Sequence, residues 1–200
     1  TEDTGGQSTA VGVQALRLQN NDGANYNTAV GYNAGGAITT GLRNTLLGGL
    51  AGDALTDSDR NVAIGFQALT TDTLGSRSVA IGHNALSVQN FTTATDSFNT
   101  AVGHEAGAAI TFGVQNTLIG GLAGDALTEG ARNVAVGKSA LSADTEGARA
   151  VAVGFGALGV QNFTTATENY NVGVGYDAGA AVTTGKENTL IGGLAGDALT

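Results

Sequence analysis

The apolar positions of this chain recur in one short phrase, Asn-Thr/Val-Ala-Val/Ile-Gly-x-x-Ala, which appears eleven times. The gaps between successive copies are 19, 17, 17, 17, 21, 17, 17, 17, 21 and 17 residues. A fixed period of this size is typical of solenoids, in which each repeat forms one coil and buries its apolar face only by stacking on the next coil. The pattern therefore predicts a rod of about eleven coils, whose phrases open at Ser8, Asn27, Asn44, Asn61, Ser78, Asn99, Asn116, Asn133, Ala150, Asn171 and Asn188.

Within each phrase the side chains alternate with a period of two, which predicts a β-strand. Positions two and four, such as Val62 and Ile64, share one face of that strand, and position four is Val, Ile or Leu in every copy. Position three is usually Ala, position eight is always Ala, and position five is always Gly. We expect an aliphatic ladder on one face and a packed face of small residues opposite. The second half of each coil, such as residues 37–41 or 54–56, is predicted to form another brief strand and a turn.

Four kinds of coil alternate in a block of 72 residues, which is present at 27–98 and 99–170 and in part at 171–200. Residues 8–26 are a shortened copy of the fourth kind of coil, which otherwise carries four extra residues. Asn opens eight of the eleven coils and suits a tight corner, because its side chain hydrogen-bonds nearby backbone. No linker interrupts the repeats, so we predict one continuous rod over residues 1–200, as a segment of a longer chain.

Composition supports a regular stack over a globular core. The chain has 33 Gly, ten Phe and Tyr together, and no Trp, Met, Pro or Cys. Its 42% apolar and 12% charged residues are the opposite of a disordered composition. The absence of Cys excludes disulfides, thiol catalysis and cysteine–zinc sites. A net charge of −9 disfavours nucleic acid as a partner, and no apolar run is long enough to predict membrane insertion.

The phrases at 61–69, 78–86 and 133–141, NVAIGFQAL, SVAIGHNAL and NVAVGKSAL, resemble the head repeats of trimeric autotransporter adhesins. The 17-residue coil NTAVGYNAGGAITTGLR, which opens at Asn27, is similar to shaft repeats of bacteriophage tail fibres. The resemblance implies an all-β fold, a parallel β-solenoid or β-roll with Val and Ile pointing inward, and a homotrimer. A single coil has few aliphatic side chains to offset the entropy of ordering its backbone. We therefore expect several chains to associate, along the face of small residues.

Two patterns suggest metal binding. The segment GGLAGDAL, at 48–55, 120–127 and 192–199, is similar to the calcium-binding nonapeptide repeat, but its copies are 72 residues apart instead of nine, so a turn capped by Asp is the favoured interpretation. His83 and His104 occupy position six of adjacent coils, about 4.8 Å apart, where two imidazoles could bind a metal. The same column holds aromatic residues and Lys, which favours a variable outward-facing position. No metal or cofactor is therefore predicted.

Surface recognition has two further candidates. Tyr32, Phe66, Phe155 and Tyr176 share position six and are predicted to form an interaction face for sugars or a neighbouring fibre; isolated surface aromatics are the alternative. Asn90 and Asn162 each begin an Asn-Phe-Thr sequon, which predicts glycosylation in an exposed insertion, and the adjacent Thr-rich stretch could carry O-linked sugars.

No catalytic constellation is present. The carboxylate pairs Asp57/Asp59 and Asp144/Glu146 fall in predicted turns, where charged side chains are expected without a catalytic role. Acid–base catalysis needs a sheltered cleft with shifted pKa values, and a thin rod offers few. We predict that the chain is not an enzyme.

The sequence thus predicts the structural shaft of an extracellular, cell-surface or virion fibre that holds a binding tip away from its anchor. Its expected partners are copies of itself, with a cell-surface glycan or receptor as a further candidate. A self-assembling extracellular filament is the main alternative, because solenoid ends can pair with like ends. An ice-binding solenoid ranks below both, since Thr occupies position two in only six coils.

Overall fold

The computed structural model describes residues 6–21 and 23–200 and forms a parallel β-solenoid of eleven coils. Residues 1–5, and residue 22 of the predicted shortened coil, lie outside the described residues. Each phrase contributes one three-residue strand to a single eleven-stranded sheet, which confirms the all-β solenoid. The strands of this long sheet are β1 Thr9–Val11, β2 Thr28–Val30, β3 Thr45–Leu47, β4 Val62–Ile64, β6 Val79–Ile81, β8 Thr100–Val102, β9 Thr117–Ile119, β10 Val134–Val136, β12 Val151–Val153, β14 Val172–Val174 and β15 Thr189–Ile191.

The coils stack in register along the whole long sheet. Every neighbouring pair of strands is parallel and matches like positions of the phrase, as in Val62↔Val79 between β4 and β6. The longer coil does not disturb this register, because Val79 still pairs with Thr100 across its four extra residues. The insertion is therefore accommodated outside the long sheet. Like side chains form continuous columns along that sheet.

In the part of the chain that the structure describes, the second half of the coil forms strands only beside the insertions. Two short parallel sheets pair β5 Gly75–Ser76 with β7 Thr95–Asp96, and β11 Gly147–Ala148 with β13 Thr167–Glu168. The prediction of strands at residues 37–41 and 54–56 is wrong, since both segments are turns and bends. Isolated hydrogen bonds join those coils instead, such as the one from Thr39 N to Thr56 O at 3.0 Å.

Alanine, and not valine or isoleucine, faces the interior of the coil. Ala63 and Ala68, at positions three and eight, are fully buried, whereas Val62 and Ile64 lie on the outside and are half-exposed. The implication that Val and Ile point inward is therefore wrong for a single coil, and so is association along the small-residue face. The space at position three depends on the neighbouring side chains: at Gly173 an added Cβ would lie 2.8 Å from Leu158 Cγ, whereas Gly35 and Gly52 make room for Leu46.

Larger side chains fill the remaining interior at positions that alternate between coils, and the second kind of coil buries an additional Leu at position three, as at Leu46 and Leu118. The third and fourth kinds of coil use a Leu at position nine, whereas the first and second kinds have Gly there and use an Ile, Leu or Val at position twelve. Gly35 and Gly52 leave room for Leu46, since an added Cβ would lie 2.6 and 2.9 Å from its methyl carbons. A large residue in one coil is thus matched by glycine in that coil and the preceding one.

Position five must be glycine for two reasons. Its φ lies between 124° and 142° in every coil, a region that other residues rarely adopt. A Cβ on Gly48 would also overlap the carbonyl oxygen of Gly65 in the next coil. The Gly column therefore records both a bend after the strand and a close approach of neighbouring backbones.

Position one forms the predicted ladder of asparagines at a buried corner. The Asn44 side chain accepts a hydrogen bond from Asn61 N at 2.9 Å and donates one to Ser58 O at 2.7 Å. Asn27 makes the equivalent bonds to Asn44 N and Gly41 O. Each amide therefore links its own turn to the next coil and satisfies backbone groups that the corner would otherwise leave unpaired.

Candidate functional site

The most distinctive surface of the molecule is the outer face of the long sheet. We call the outer sheet face the side chains at positions two and four of its eleven strands. They are Val, Ile, Leu and Thr throughout, and Leu47 and Ile119 are 46% and 40% exposed. Contiguous exposed apolar surface of this kind usually marks an interaction site. Because all strands run in the same direction, their N-terminal ends lie along one border of this face and their C-terminal ends lie along the other.

The C-terminal border is the column at position six, and it contains stacked rings. His83 lies between Phe66 and His104, with ring centroids 5.8 and 5.2 Å away, and Phe155 stacks on Tyr176 at 5.5 Å. Phe66, Phe155, Tyr32 and Tyr176 are all about half exposed. The predicted set is thus brought together only in part, because glycines at position six separate the two stacks and leave Tyr32 outside both.

The N-terminal border is the column that precedes position one, and the sequence analysis overlooked it. Arg43, Arg60 and Arg77 occupy it in three consecutive coils, and all three are exposed. The Arg77 guanidinium lies 5.4 Å from the centroid of the Phe98 ring and 2.7 Å from an Asp96 carboxylate oxygen. The signal was present in the sequence, as Arg residues spaced by 17 immediately before the phrase. This border therefore carries a run of Arg side chains, of which Arg60 and Arg77 are paired with the carboxylates of Asp59 and Asp96.

The second block repeats this border with Arg149, Glu168 and Tyr170. Arg149 lies 2.8 Å from a Glu168 carboxylate oxygen, and Tyr170 Oη donates to Glu168 at 2.7 Å. The hydrogen bond from Tyr170, followed by the one from Arg149, lowers the pKa of Glu168. The same bond to Glu168 raises the pKa of Tyr170, because the hydroxyl proton is held by the carboxylate.

The prediction that Asp144 lies in a charged surface turn is wrong. Its carboxylate is buried and has a structural role. It accepts hydrogen bonds from Gln161 Nε2 at 2.6 Å and from the backbone N–H groups of Gly147 and Phe163 at 3.0 and 2.9 Å. Asp72 makes the same three bonds in the preceding block. Burial raises the pKa of both carboxyl groups, and the hydrogen bonds oppose that shift. These residues anchor the two insertions.

Asp57 and Asp59 have ordinary turn roles. Asp57 Oδ1 accepts from Thr40 Oγ1 at 2.6 Å, and Asp59 Oδ1 accepts from Leu42 N at 2.8 Å, in each case across neighbouring coils. The described residues enclose no pocket around them.

The aspartates of the GGLAGDAL segment lie four coils apart and differ in their surroundings. Asp53 accepts hydrogen bonds from Thr70 Oγ1 at 2.5 Å and Asn33 Nδ2 at 3.3 Å, which agrees with a capped turn. Asp125, its counterpart, has a buried Oδ1 with no hydrogen-bond partner. Its pKa is raised, chiefly by burial and also by the nearby charge of Glu105.

Within residues 6–21 and 23–200, one group of three side chains has the composition and spacing of a metal site. It consists of His83, His104 and Glu105, whose ligand atoms lie within 4.8 Å of one another. The two imidazole planes differ by 8°, and His104 Nε2 lies 3.9 Å from Glu105 Oε1. The structure thus adds a carboxylate to the histidine pair that the sequence indicated.

Both sequon asparagines lie on the insertions and are half-buried. Asn90 Oδ1 accepts from Thr73 Oγ1 at 3.2 Å, and Asn162 Oδ1 accepts from Thr145 Oγ1 at 3.1 Å. The following Phe91 and Phe163 are buried and hold the insertion against the rod. Glycosylation at these sites stays a prediction.

Searches of the chain against protein-family models, curated proteins and solved structures found no match. None of the described segments is a helix with the length and hydropathy required to cross a membrane. The functional argument therefore rests on the geometry of the outer sheet face and its borders.

Proposed function

We propose that this chain is the shaft of an extracellular, cell-surface or virion fibre, in which three parallel copies associate through their outer sheet faces and hold a binding tip away from an anchor. The observation that carries the proposal is the column of Val, Ile and Leu at position four, which runs without interruption along all eleven strands of the outer sheet face. The number three follows the resemblance of the repeats to trimeric adhesin heads and tail-fibre shafts. In such a trimer, Val and Ile point outward from each coil but inward toward the shared axis.

The dimensions of the face favour an assembly that also uses its borders. Eleven coils at about 4.8 Å give a strip about 50 Å long, and two columns of side chains make it about 10 Å wide. The strip alone therefore covers about 500 Å², less than the ~800 Å² per partner of a typical stable interface. Contacts with two neighbouring chains, including residues of both borders, would enlarge the buried area.

The side chains of the borders favour parallel chains. In a parallel cyclic assembly, the N-terminal border of one chain meets the C-terminal border of the next, where the rings of Phe66 and Phe155 lie. Arg then faces aromatic rings, which are favoured partners of its guanidinium. An antiparallel pair would instead place the N-terminal border against its own copy and away from these rings.

Light scattering tests the assembly directly. We expect a mass three times the 19.6 kDa of one chain. The double substitution Val134→Lys and Val136→Lys places charges on β10, the eighth of the eleven strands of the outer sheet face, and outside the coil interior. It should reduce the mass to that of one chain while circular dichroism keeps the β spectrum.

The matched control adds the same two charges elsewhere. Thr92→Lys and Thr93→Lys lie in an exposed insertion and should leave the trimer intact. A monomeric wild type, or a V134K/V136K variant that assembles as well as the control, would contradict the proposal.

Surface adhesion is a further part of this proposal, through the rings of the C-terminal border. Aromatic faces stack on apolar faces of sugars and pack on neighbouring surfaces. Replacement of Tyr32, Phe66, Phe155 and Tyr176 by Ser should lower binding of the full-length protein to its target surface or glycan. Unchanged binding would remove this role without affecting the shaft.

A self-assembling filament is the alternative function, because coils of one regular cross-section can stack end to end on the coils of another copy. Electron microscopy of the full-length protein separates the candidates, since a shaft gives fibres of one length and a filament gives unbounded ones.

A further inference from the structure

We propose that His83, His104 and Glu105 form a binding site for a borderline transition-metal ion such as Zn²⁺, with one ion per chain. The site lies within one chain, so it is independent of the number of chains that associate. It also goes beyond the mechanical role proposed above, because it gives the rod surface a specific ligand.

Backbone geometry brings the three side chains together. His83 and His104 are separated by the insertion, yet they are neighbours because β6 and β8 pair in register. Glu105 is held beside them by a hydrogen bond from its own N–H to the carbonyl of His83 at 2.9 Å. The left-handed φ of Glu105, 55°, completes the turn that follows the strand. The arrangement therefore comes from the regular stack.

The donor set selects the class of ion. Two imidazoles and a carboxylate suit zinc, copper and nickel better than calcium or magnesium, which prefer oxygen ligands. Zinc binds such ligands at about 2.0–2.2 Å, often with water in a fourth position. Ligand atoms within 4.8 Å of one another need only small rotations of exposed side chains to reach those distances.

A second observation, which concerns charge, points to a cation at this place. In the first block, the position of Glu105 is held by Asn33, which donates to Asp53, and Thr70 donates to the same carboxylate. In the second block the corresponding residues are Glu105 and Ser142, and Ser142 donates to Gly159 O instead. Glu105 therefore adds a negative charge near the carboxylate of Asp125, which lacks both of the side-chain donors that Asp53 has.

Asp125, that carboxylate, keeps a buried oxygen without a hydrogen-bond partner. Like charges placed together, with an unsatisfied oxygen nearby, are unfavourable without a compensating cation. A bound divalent ion at the histidines would offset the charge of Glu105.

The chain supplies its own control one block later. Phe155 and Tyr176 occupy the same positions as His83 and His104, and their rings stack in the same way, with centroids 5.5 Å apart. The double variant His83→Phe and His104→Tyr therefore installs side chains that this backbone already accommodates. It removes both imidazoles and keeps a stacked pair.

Isothermal titration of the purified chain with ZnCl₂ tests the site. The wild type should bind one ion per chain, and H83F/H104Y should lose that binding. Glu105→Asn, which restores the side chain of the first block, should weaken zinc binding about tenfold or more, the usual minimum for loss of a group at a metal site. Equal zinc uptake by the wild type and H83F/H104Y, or none by the wild type, would overturn the proposal.

A variant that builds a second copy of the site gives a test that a loss of folding cannot explain, because it predicts a gain of zinc binding. Phe155→His, Tyr176→His and Asp177→Glu together should raise the stoichiometry to two ions per chain. A stoichiometry that stays at one would contradict the claim that these three side chains on this backbone are sufficient.

Discussion

The two complete blocks, residues 27–98 and 99–170, have the same backbone but differ on their surfaces. Their interiors correspond: Leu46 and Leu118 are both fully buried, each against paired glycines. Their surfaces diverge, as where Asn33 is replaced by Glu105. The comparison teaches that the two blocks keep the apolar packing of the interior, where Leu and Gly are matched between coils. Positions six and seven, on the surface, are where the second block differs in its chemistry.

The largest expected effect comes from breaking the shared backbone at position five. Gly48→Ala should destabilise the rod by about 3 kcal/mol or more, because Ala at φ 138° is strained and its Cβ meets the carbonyl of the next coil. Gly49→Ala is the matched control, since its Cβ would only touch Phe66 at 3.5 Å, and should change stability by less than about 0.5 kcal/mol. Urea unfolding of both variants measures this. Equal stabilities would contradict the close-approach explanation.

The next effect tests whether the interiors are equivalent. Leu46→Ala and Leu118→Ala should each cost about 2–5 kcal/mol, through lost burial and a cavity. The two costs should agree within about 0.5 kcal/mol, because the glycines and the Ile that surround each Leu also correspond. The same urea experiment measures both. A large loss for one variant and a negligible loss for the other would show that the blocks are packed differently.

A smaller effect is the dependence of the rod's stability on pH through Asp72 and Asp144. It is small because hydrogen bonds to these carboxylates offset part of the rise in pKa that burial causes. Both carboxyl groups have pKa values raised above 3.8 by burial, so the folded chain binds these protons more tightly than the unfolded chain. Their contribution is fully present below about pH 3.8 and is lost as pH rises through the higher folded pKa. The double variant Asp72→Asn and Asp144→Asn should therefore show a flatter decline of stability above pH 4.

A cost of the Asn substitutions that is the same at every pH is also expected, because the new amide faces Gln89 Nε2 and Gln161 Nε2, which are donors. Only the slope of stability against pH carries the test. An unchanged slope in the double variant would show that these two groups do not titrate on unfolding.

The repeats themselves predicted the fold, the register and the corner. A phrase of fixed length with Gly at position five leaves few alternatives to stacked strands, and Asn44 makes the ladder that its position indicated. The direction of the strand faces was not predictable in the same way. A period of two shows that Val62 and Ile64 share a face, but it does not show which face is inside. The deciding factor is which face packs against the rest of its own coil, as Ala63 does, and that depends on the path of the whole coil.

The candidate site was predictable only in part for a similar reason. His83 and His104 were identified because they share a column, whereas the place of Glu105 depends on the turn that follows the strand. The buried role of Asp144 depends on Gln161 and Phe163, which reach it only because the insertion folds back onto the rod. These contacts recur with the 72-residue block and not with each coil, so the period of the coil does not reveal them.

Thiol labelling tests most directly which face lies inside and which face assembles, since the natural chain has no Cys. Single substitutions Ala63→Cys, Ile64→Cys and Thr92→Cys are labelled with a maleimide, in the wild type and in the dissociated V134K/V136K background. We predict that Cys at 63 is protected in both, that Cys at 92 reacts in both, and that Cys at 64 reacts only when the chains are dissociated. Faster labelling at 63 than at 64 in the dissociated chain, or equal labelling at 64 in both states, would contradict the account.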